Sequence, residues 1–368
     1  MENTIFDAVI VGAGVIGLAI AKHLSEKGMQ IVILEKERRS GESTSSRNSG
    51  VIHAGMYYPD NTLKARLCVE GNALLYEYAS KKRIDHKRVG KYIVACSKSD
   101  LKKLDSIYDQ GMKNDVEILK VTKEEIESSE SDLSVCAGLF SPNTGIIDVP
   151  ELLTALEGDI QHNSGMISFS TKCEKVERKN DLFIIHCSST EDFTVESKFL
   201  INCSGLDSEN ISNKMSFLDK RHIHKINLAK GHYFKYSGKN PFKKLIYPIH
   251  NESSLGIHVG FDLSGQLRFG PDLSWVSEVD YSFDETLKSK FVKEIQSYWK
   301  NLDPNKLHPD YTGIRPKVQR KGEKMKDFII SDCNDHGIKG LINLQGIESP
   351  GVTSSLAIAE YVKELTLN

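Results

Sequence analysis

The chain has 368 residues, 39% hydrophobic and 27% charged, a composition that excludes a disordered or fibrous protein and provides for two structural units. Its 48 Lys and Arg against 50 Asp and Glu give a formal charge of −2, so no basic excess exists to neutralise a phosphate backbone and nucleic acid is not an expected partner. The cysteines, Cys68, Cys96, Cys136, Cys173, Cys187, Cys203 and Cys333, are odd in number and form no CxxC pair, which argues against a disulfide framework or zinc site and for a reducing, cytoplasmic setting.

The first apolar stretch, 8–21, is short, holds Gly12, Gly14 and Gly17, and lacks a basic start, so it reads as buried strand and helix and not as a signal or membrane segment. Residues 6–11 form an apolar run, interrupted only by Asp7, with β-branched members, as a parallel strand buried on both faces does. Gly12-Ala13-Gly14-Val15-Ile16-Gly17 follows, then a helical pattern ending at Gly28, then a second apolar run over 30–34 closed by Glu35. This is a βαβ unit carrying GxGxxG. Glu35 stands 18 residues beyond Gly17, close to the ~20 expected of an acid that accepts from a ribose. Without a Cβ, Gly12 permits the tight turn, Gly14 lets a pyrophosphate approach the backbone, and Gly17 lets helix and strand pack.

Further on, the pattern predicts a strand at 91–96, a helix at 99–113, a strand at 116–120 and a capped helix at 122–130. Residues 138–147 read as a hairpin around Pro142-Asn143-Thr144-Gly145, and a helix starts at Pro150. An antiparallel pair is expected at 166–177 and 181–188, and a buried strand at 199–203 that breaks at Ser204-Gly205. Between 231 and 270 the runs 233–236, 245–249, 256–261 and 266–269 predict a mostly antiparallel sheet. A helix over 284–302, a strand at 341–344 and a final helix at 353–365 complete the chain. The class is α/β at the N-terminus and α+β overall: a Rossmann-like dinucleotide domain with a second, antiparallel-sheet domain.

The segment after Glu35 separates the dinucleotides. A nicotinamide enzyme repeats βα units there, whereas this chain has the long polar loop SSRNSGVIHAGMYYP at 45–59. With GAGVIGLAIA at 12–21, LKARLCVEGNALLYEY at 63–78, SPNTGIID at 141–148, INCSG at 201–205, YTGIRPK at 311–317 and GIESPGVTSSLAIAEYV at 346–362, it resembles the FAD-dependent oxidoreductases of the D-amino-acid-oxidase superfamily. Within them the L-2-hydroxyglutarate dehydrogenase/oxidase branch is the most similar. The resemblance implies two discontinuous domains: FAD-binding at 1–85, 150–225 and 312–368, and substrate-binding at 86–149 and 226–311. It implies FAD contacts from Gly12, Gly14, Val15, Ile16, Gly17, Glu35, Lys36, Ser45, Asn48, Ser49, Val176, Ser204, Gly205, Gly346, Ile347, Glu348, Pro350, Gly351 and Val352. The last helix would aim its N-terminus at the flavin.

Oxidation of a substrate C–H by hydride transfer to flavin N5 needs a proton acceptor and a group that holds a carboxylate. His53, in the flavin loop, and His258, alternating with apolar neighbours, are the candidate bases. Arg315 before Pro316 is the candidate carboxylate fork, with Tyr233 and, more weakly, Tyr57 and Tyr58 near the substrate. The resemblance implies oxidation of a small 2-hydroxy acid, L-2-hydroxyglutarate or similar, to the 2-oxo acid, with oxygen, a quinone or a soluble carrier as electron acceptor. An amino-acid or amine oxidase on the same fold, or a non-catalytic flavin-binding protein, are the alternatives. Glu348 is expected to place negative charge beside the flavin and so to disfavour a dicarboxylate.

Overall fold

Two apolar strands flanking one glycine turn start the fold. In a computed structural model that describes residues 5–249 and 256–367, β1 (Ile5–Val11) and β2 (Ile31–Leu34) pair in parallel, joined by α1 (Val15–Ser25). The remaining positions, 1–4, 250–255 and 368, fall within the expected domain segments and lie outside the described residues. Ala8, Val9 and Ile10 are fully buried because helices or strands cover both faces of β1.

Among the described residues the first sheet has eight strands. Its order runs Lys172–Lys179, Leu182–Ser188, Asp192–Asn202, β1, β2 and Met166–Ser168, and Leu341–Gln345 pairs parallel with Asp192–Asn202. The expected strand over 166–177 is thus two strands. Its first part joins β2 in parallel, and the rest turns back in a hairpin with Leu182–Ser188. The second sheet has nine strands, ordered Ser274–Val276, Asn227–Tyr236, Leu267–Phe269, Val259–Phe261, Leu245–Pro248, Lys91–Ala95, Ala137–Ser141 and Leu119–Thr122, with Leu307–Lys317 pairing Asn227–Tyr236. Most of its pairs are antiparallel, as expected, but Leu245–Pro248 runs parallel to Lys91–Ala95.

The expected hairpin at 138–147 does not form. Ala137–Ser141 stays in the nine-stranded sheet, while Gly145–Ile147 joins a separate three-stranded sheet with Val51–Ile52 and His86–Lys87. Gly145 lies so close to Tyr76 and Lys87 that a Cβ would sit 2.1 Å from the Tyr76 hydroxyl oxygen. The turn therefore carries the chain between sheets. The expected 284–302 helix is also shorter, Lys288–Gln296 after a 3₁₀ turn.

Periodicity does not announce α2 (Leu63–Lys82), a 20-residue helix whose buried side includes Lys64 and Asn72 beside Leu67, Cys68 and Leu75. Thr62 and Asp327 cap it: Ala65 N–H donates to Thr62 Oγ1 at 3.2 Å, and the Leu63 and Lys64 amides donate to the Asp327 carboxylate at 2.6 and 2.8 Å. The C-terminal helix, Gly351–Leu367, packs against α1 and α2. Gly71 permits this approach, since a Cβ there would lie 2.3 Å from the Thr353 carbonyl oxygen. No helix among the described residues is long and apolar enough to cross a membrane.

Candidate active site

The site begins at the β1–α1 turn, where three glycines have three different reasons. Gly12 has φ +105°, and a Cβ there would lie 2.7 Å from the Cys203 carbonyl oxygen. On Gly17 it would lie 2.0 Å from the Gly12 carbonyl oxygen, whereas on Gly14 the nearest atom would be Ser45 Oγ at 3.3 Å. Gly12 and Gly17 are thus closed by the protein's own backbone, and Gly14 faces a cavity. The Val15 N–H donates to Ser45 Oγ at 3.0 Å, so Ser45 covers the start of α1 while its own proton remains available to an anion. Glu35 is held from the other side: its carboxylate accepts from Ala13 N–H at 2.6 Å and Glu37 N–H at 2.9 Å.

From this turn one continuous cavity of about 1050 Å³ runs between the two large sheets. Small-molecule sites occupy roughly 300 to 1,000 Å³, so this one holds more than a small substrate. Gly12, Gly14, Val15, Ile16, Glu35, Lys36, Ser45, Asn48 and Ser49 line one end, and Ser204 and Gly205 lie across from them. Lys36 is ion-paired with Asp207. The Asn48 side chain fastens its own loop, donating to the Ser45 carbonyl at 2.5 Å and accepting from Gly50 N–H at 2.7 Å. Ile347, Glu348, Pro350, Gly351 and Val352 line the far end.

Three of the residues expected to contact FAD are not among those lining the cavity. Val176 is fully buried in the core beneath the sheet, because the register shift between Cys173 and Lys175 turns it inward, and Thr171 to Glu174 line the cavity in its place. Gly346 (φ +69°) shapes the turn before the lining segment and packs on Val318. Gly17, likewise, is a packing residue behind the wall.

The cavity also gathers side chains that are far apart in sequence. His53, Tyr57, Tyr58, Tyr233, Tyr247, His258, Arg315, Lys317 and Ser349 all line the cavity. Thr353 Oγ1 accepts from the His53 backbone N–H at 3.0 Å, and His53 Nε2 lies 3.4 Å from Ser349 Oγ, while Nδ1 is buried without a hydrogen-bond partner. Burial, helped by the charge of Lys91 and by His258, drives the His53 imidazole down to about 3, so at neutral pH it is uncharged. His258 stacks on Tyr247 with ring centroids 3.9 Å apart. Tyr233 stacks on Tyr311 at 4.5 Å and hydrogen-bonds Ser49, and burial pushes its phenol up to about 12.

Arg315 is fixed along one edge. Its Nε donates to the Ala229 carbonyl at 3.3 Å and Nη2 to the Asp272 carbonyl at 2.7 Å, above Gly231, where a Cβ would come within 3.1 Å of Nη2. No described residue bonds Nη1. Glu348, expected to add bare negative charge, is instead neutralised. It accepts from Lys64 Nζ at 3.0 Å and from Lys317 Nζ at 2.7 Å and 2.6 Å. Burial alone would raise its carboxyl, but the Lys64 and Lys317 ammonium groups outweigh that and hold it below the ordinary range. The group of three carries net positive charge. Lys91 and Tyr247 were not anticipated from sequence. The available signal for Lys91 was a lysine heading the otherwise apolar run Tyr92 to Ala95.

A glycine cradle opening on one end of a long cavity, with a neutral imidazole and an anchored guanidinium at the other, defines an oxidoreductase that binds a flavin dinucleotide along one wall and its substrate against the other. The chain matches the FAD dependent oxidoreductase family over residues 7–365 and belongs to it; its cofactor is FAD. It is 37% identical to the mitochondrial L-2-hydroxyglutarate dehydrogenase of Arabidopsis thaliana over 97% of this chain and 82% of that protein. A glycerol 3-phosphate dehydrogenase from Caloramator mitchellensis is 31% identical over 99% of this chain and 74% of its own. In fold it is similar to the FAD-bound L-alpha-glycerophosphate oxidase of Mycoplasma pneumoniae, with TM-score 0.88 at 22% identity, covering 100% of this chain and 96% of that one.

Proposed function

We propose that the protein oxidises L-2-hydroxyglutarate, or a 2-hydroxy acid of similar shape and charge, to the 2-oxo acid. The observation that carries this reading is Arg315, anchored by two backbone carbonyls with Nη1 left for a ligand, on the same cavity as His53. A guanidinium held in one plane meets a carboxylate in one orientation and so fixes where the α-carbon lies. His53, uncharged and beside Ser349, takes the hydroxyl proton as the C–H bond breaks. An anionic substrate in the cavity counters the Lys91 charge, the second cause after burial, and so raises His53. FAD, when bound, supplies the hydride acceptor. Gly14, Ser45 and Glu35 are the residues that hold its pyrophosphate and ribose in this reading.

The domain partition belongs to the same reading, with one adjustment: the boundary at 311/312 falls inside the strand Leu307–Lys317, so that Arg315 hangs from a strand of the substrate sheet. The cytoplasmic setting rests on seven free cysteines. The name of the Arabidopsis relative places that protein in mitochondria. Oxygen, a quinone or a soluble carrier re-oxidises the flavin.

The Caloramator relative motivates a second reading, a phosphorylated polyol at this site. A phosphate calls for more than one cation, yet Lys317 beside Arg315 is committed to Glu348 at 2.7 and 2.6 Å. One free guanidinium edge suits a carboxylate better. The test is anaerobic bleaching of the bound flavin by L-2-hydroxyglutarate, L-lactate, glycerol 3-phosphate, glycine and proline. Fastest bleaching by the dicarboxylic hydroxy acid is the expected result; fastest bleaching by glycerol 3-phosphate or an amino acid transfers the assignment.

A further inference from the structure

Three lysines are almost completely buried among the described residues: Lys64 at 2% exposure, Lys230 at 4% and Lys91 at 0%. Lys64 meets Glu348 at 3.0 Å and Lys230 meets Asp280 at 2.9 Å. Lys91 meets no carboxylate, and its Nζ has no hydrogen-bond partner. It lies instead over the rings of Tyr57 at 4.8 Å and Tyr247 at 4.5 Å. A buried ammonium without an anion is among the most expensive groups a core can hold, and replacing it by an apolar side chain is often stabilising. Its retention calls for a ligand.

The strand register shows where that ligand comes from. Lys91 and Ile93 stand on the same face of Lys91–Ala95, because side chains alternate along a strand, and Ile93 lines the cavity. Tyr247 pairs in register with Ile93 on the neighbouring strand and also lines the cavity, as do Tyr57 and His53. The ammonium therefore lies directly behind the aromatic wall of the substrate end, on the cavity side of the sheet. Arg315 hangs from Leu307–Lys317, several strands away in the same sheet. The cavity is thus lined by one cation with a free edge, Arg315, and backed by a second, Lys91, which lies against the Tyr57 and Tyr247 rings.

We propose that Lys91 is a specificity-determining residue that receives the second, distal carboxylate of a dicarboxylic 2-hydroxy acid whose α-carboxylate is held by Arg315. The inference rests on the 2-hydroxy-acid reading above. Among the described residues the titratable groups facing Lys91 are Tyr57, Tyr247, Cys68 and His53, none of them an anion at neutral pH. Burial lowers the ammonium to about 7, opposed by Cys68, so an arriving carboxylate fixes it in the charged form. The aromatic rings keep the cation in place until then.

The experiment compares L-2-hydroxyglutarate with L-2-hydroxypentanoate, which differ in the distal carboxylate alone, in the holoenzyme and in Lys91→Met, Lys91→Gln and Lys91→Arg with FAD content checked. The quotient of the two kcat/KM values is expected to fall roughly 10- to 100-fold in Lys91→Met and Lys91→Gln, and less in Lys91→Arg. An unchanged quotient in Lys91→Met, or in Lys91→Gln where Lys91→Met gives no holoprotein, overturns the proposal. Binding of the unreactive pair glutarate and pentanoate, read from the flavin absorption band, separates this inference from the functional reading. If the parent oxidises neither hydroxy acid, the functional reading fails; a glutarate preference that Lys91→Met erases still upholds Lys91, and equal binding of the two by the parent overturns it.

Discussion

The two ends of the cavity are built in opposite ways. At the dinucleotide end the working groups belong to one short turn, Gly12 to Ile16, together with Glu35 and Ser45. At the substrate end they are side chains drawn from His53 to Ser349, carried on two sheets and the loops between them. The first kind of site depends on what is missing, the Cβ atoms; the second depends on what distant strands bring together. Changes at the first end should therefore act through the fold and cofactor retention, and changes at the second through rate and selectivity.

The largest expected effect tests the first half of that contrast. Gly17→Val places a branched side chain where even a Cβ would be 2.0 Å from the Gly12 carbonyl oxygen, so no soluble holoprotein should form. Gly14→Ala meets Ser45 Oγ at 3.3 Å and little else, so it should fold and be recovered largely as apoprotein. Absorbance at the flavin band relative to protein, with melting curves, checks both. A Gly14→Ala protein with full FAD would remove Gly14 from the cradle.

Glu348→Ala comes next, because it strands the buried Lys64 and Lys317 ammonium groups. A stability loss of about 3 to 5 kcal/mol is expected from denaturant titration. An unchanged midpoint would mean that the two lysines find other partners.

At the substrate end, His53→Ala should slow flavin reduction by about 10²-fold with FAD content preserved. Arg315→Ala should cost at least roughly tenfold in apparent affinity, and Arg315→Lys, which keeps charge but loses the fork, should lower turnover as well. Stopped-flow reduction against substrate concentration reads all three. Parental saturation in Arg315→Ala would reduce Arg315 to a structural clamp on Ala229 and Asp272.

The smallest effect is on stability and depends on pH. Lys91 binds its proton with a value near 7 in the folded state, below the 10.5 of an exposed lysine. Between those values the unfolded chain holds the proton more firmly, so this group's contribution to stability rises with pH across that window and is at its worst below 7. Lys91→Met should therefore raise the melting temperature by a few degrees near pH 6, and the gain should shrink toward pH 10. A gain independent of pH would mean that packing, not charge, separates the two proteins.

Legibility in the sequence followed the same divide. The glycine turn, β1, β2 and Glu35 were readable because their spacing is local and each glycine has a local reason. That Arg315 and His53 line the cavity was readable through the motifs around them. Lys91 was not, since a lysine heading a strand is ordinarily exposed and only the neighbouring Tyr57 and Tyr247 reveal its burial. α2 was hidden because Lys64 and Asn72 interrupt its apolar stripe, and both are buried by partners 284 and 19 or 71 positions away. The sign of the field around Glu348 was misjudged for the same reason: its neutralising lysines come from Lys64 and Lys317, which no reading of the segment 346–352 contains. The inward turn of the Val176 side chain follows a bulge that composition does not mark.

The placement of Leu341–Gln345 and Gly351–Leu367 has a consequence for how the protein is made. The strand lies beside Asp192–Asn202, where Asn343 Oδ1 accepts from Asn202 Nδ2 at 2.8 Å, and the Thr353 hydroxyl takes the His53 amide at 3.0 Å. A ribosome that has delivered the first three hundred residues has released the glycine turn but neither the neighbour that completes its sheet nor the helix that closes its cavity. Vectorial synthesis therefore yields a nascent chain with an open sheet edge and uncovered faces on α1 and α2. Long-range closure of this kind is slow and leaves such chains prone to association.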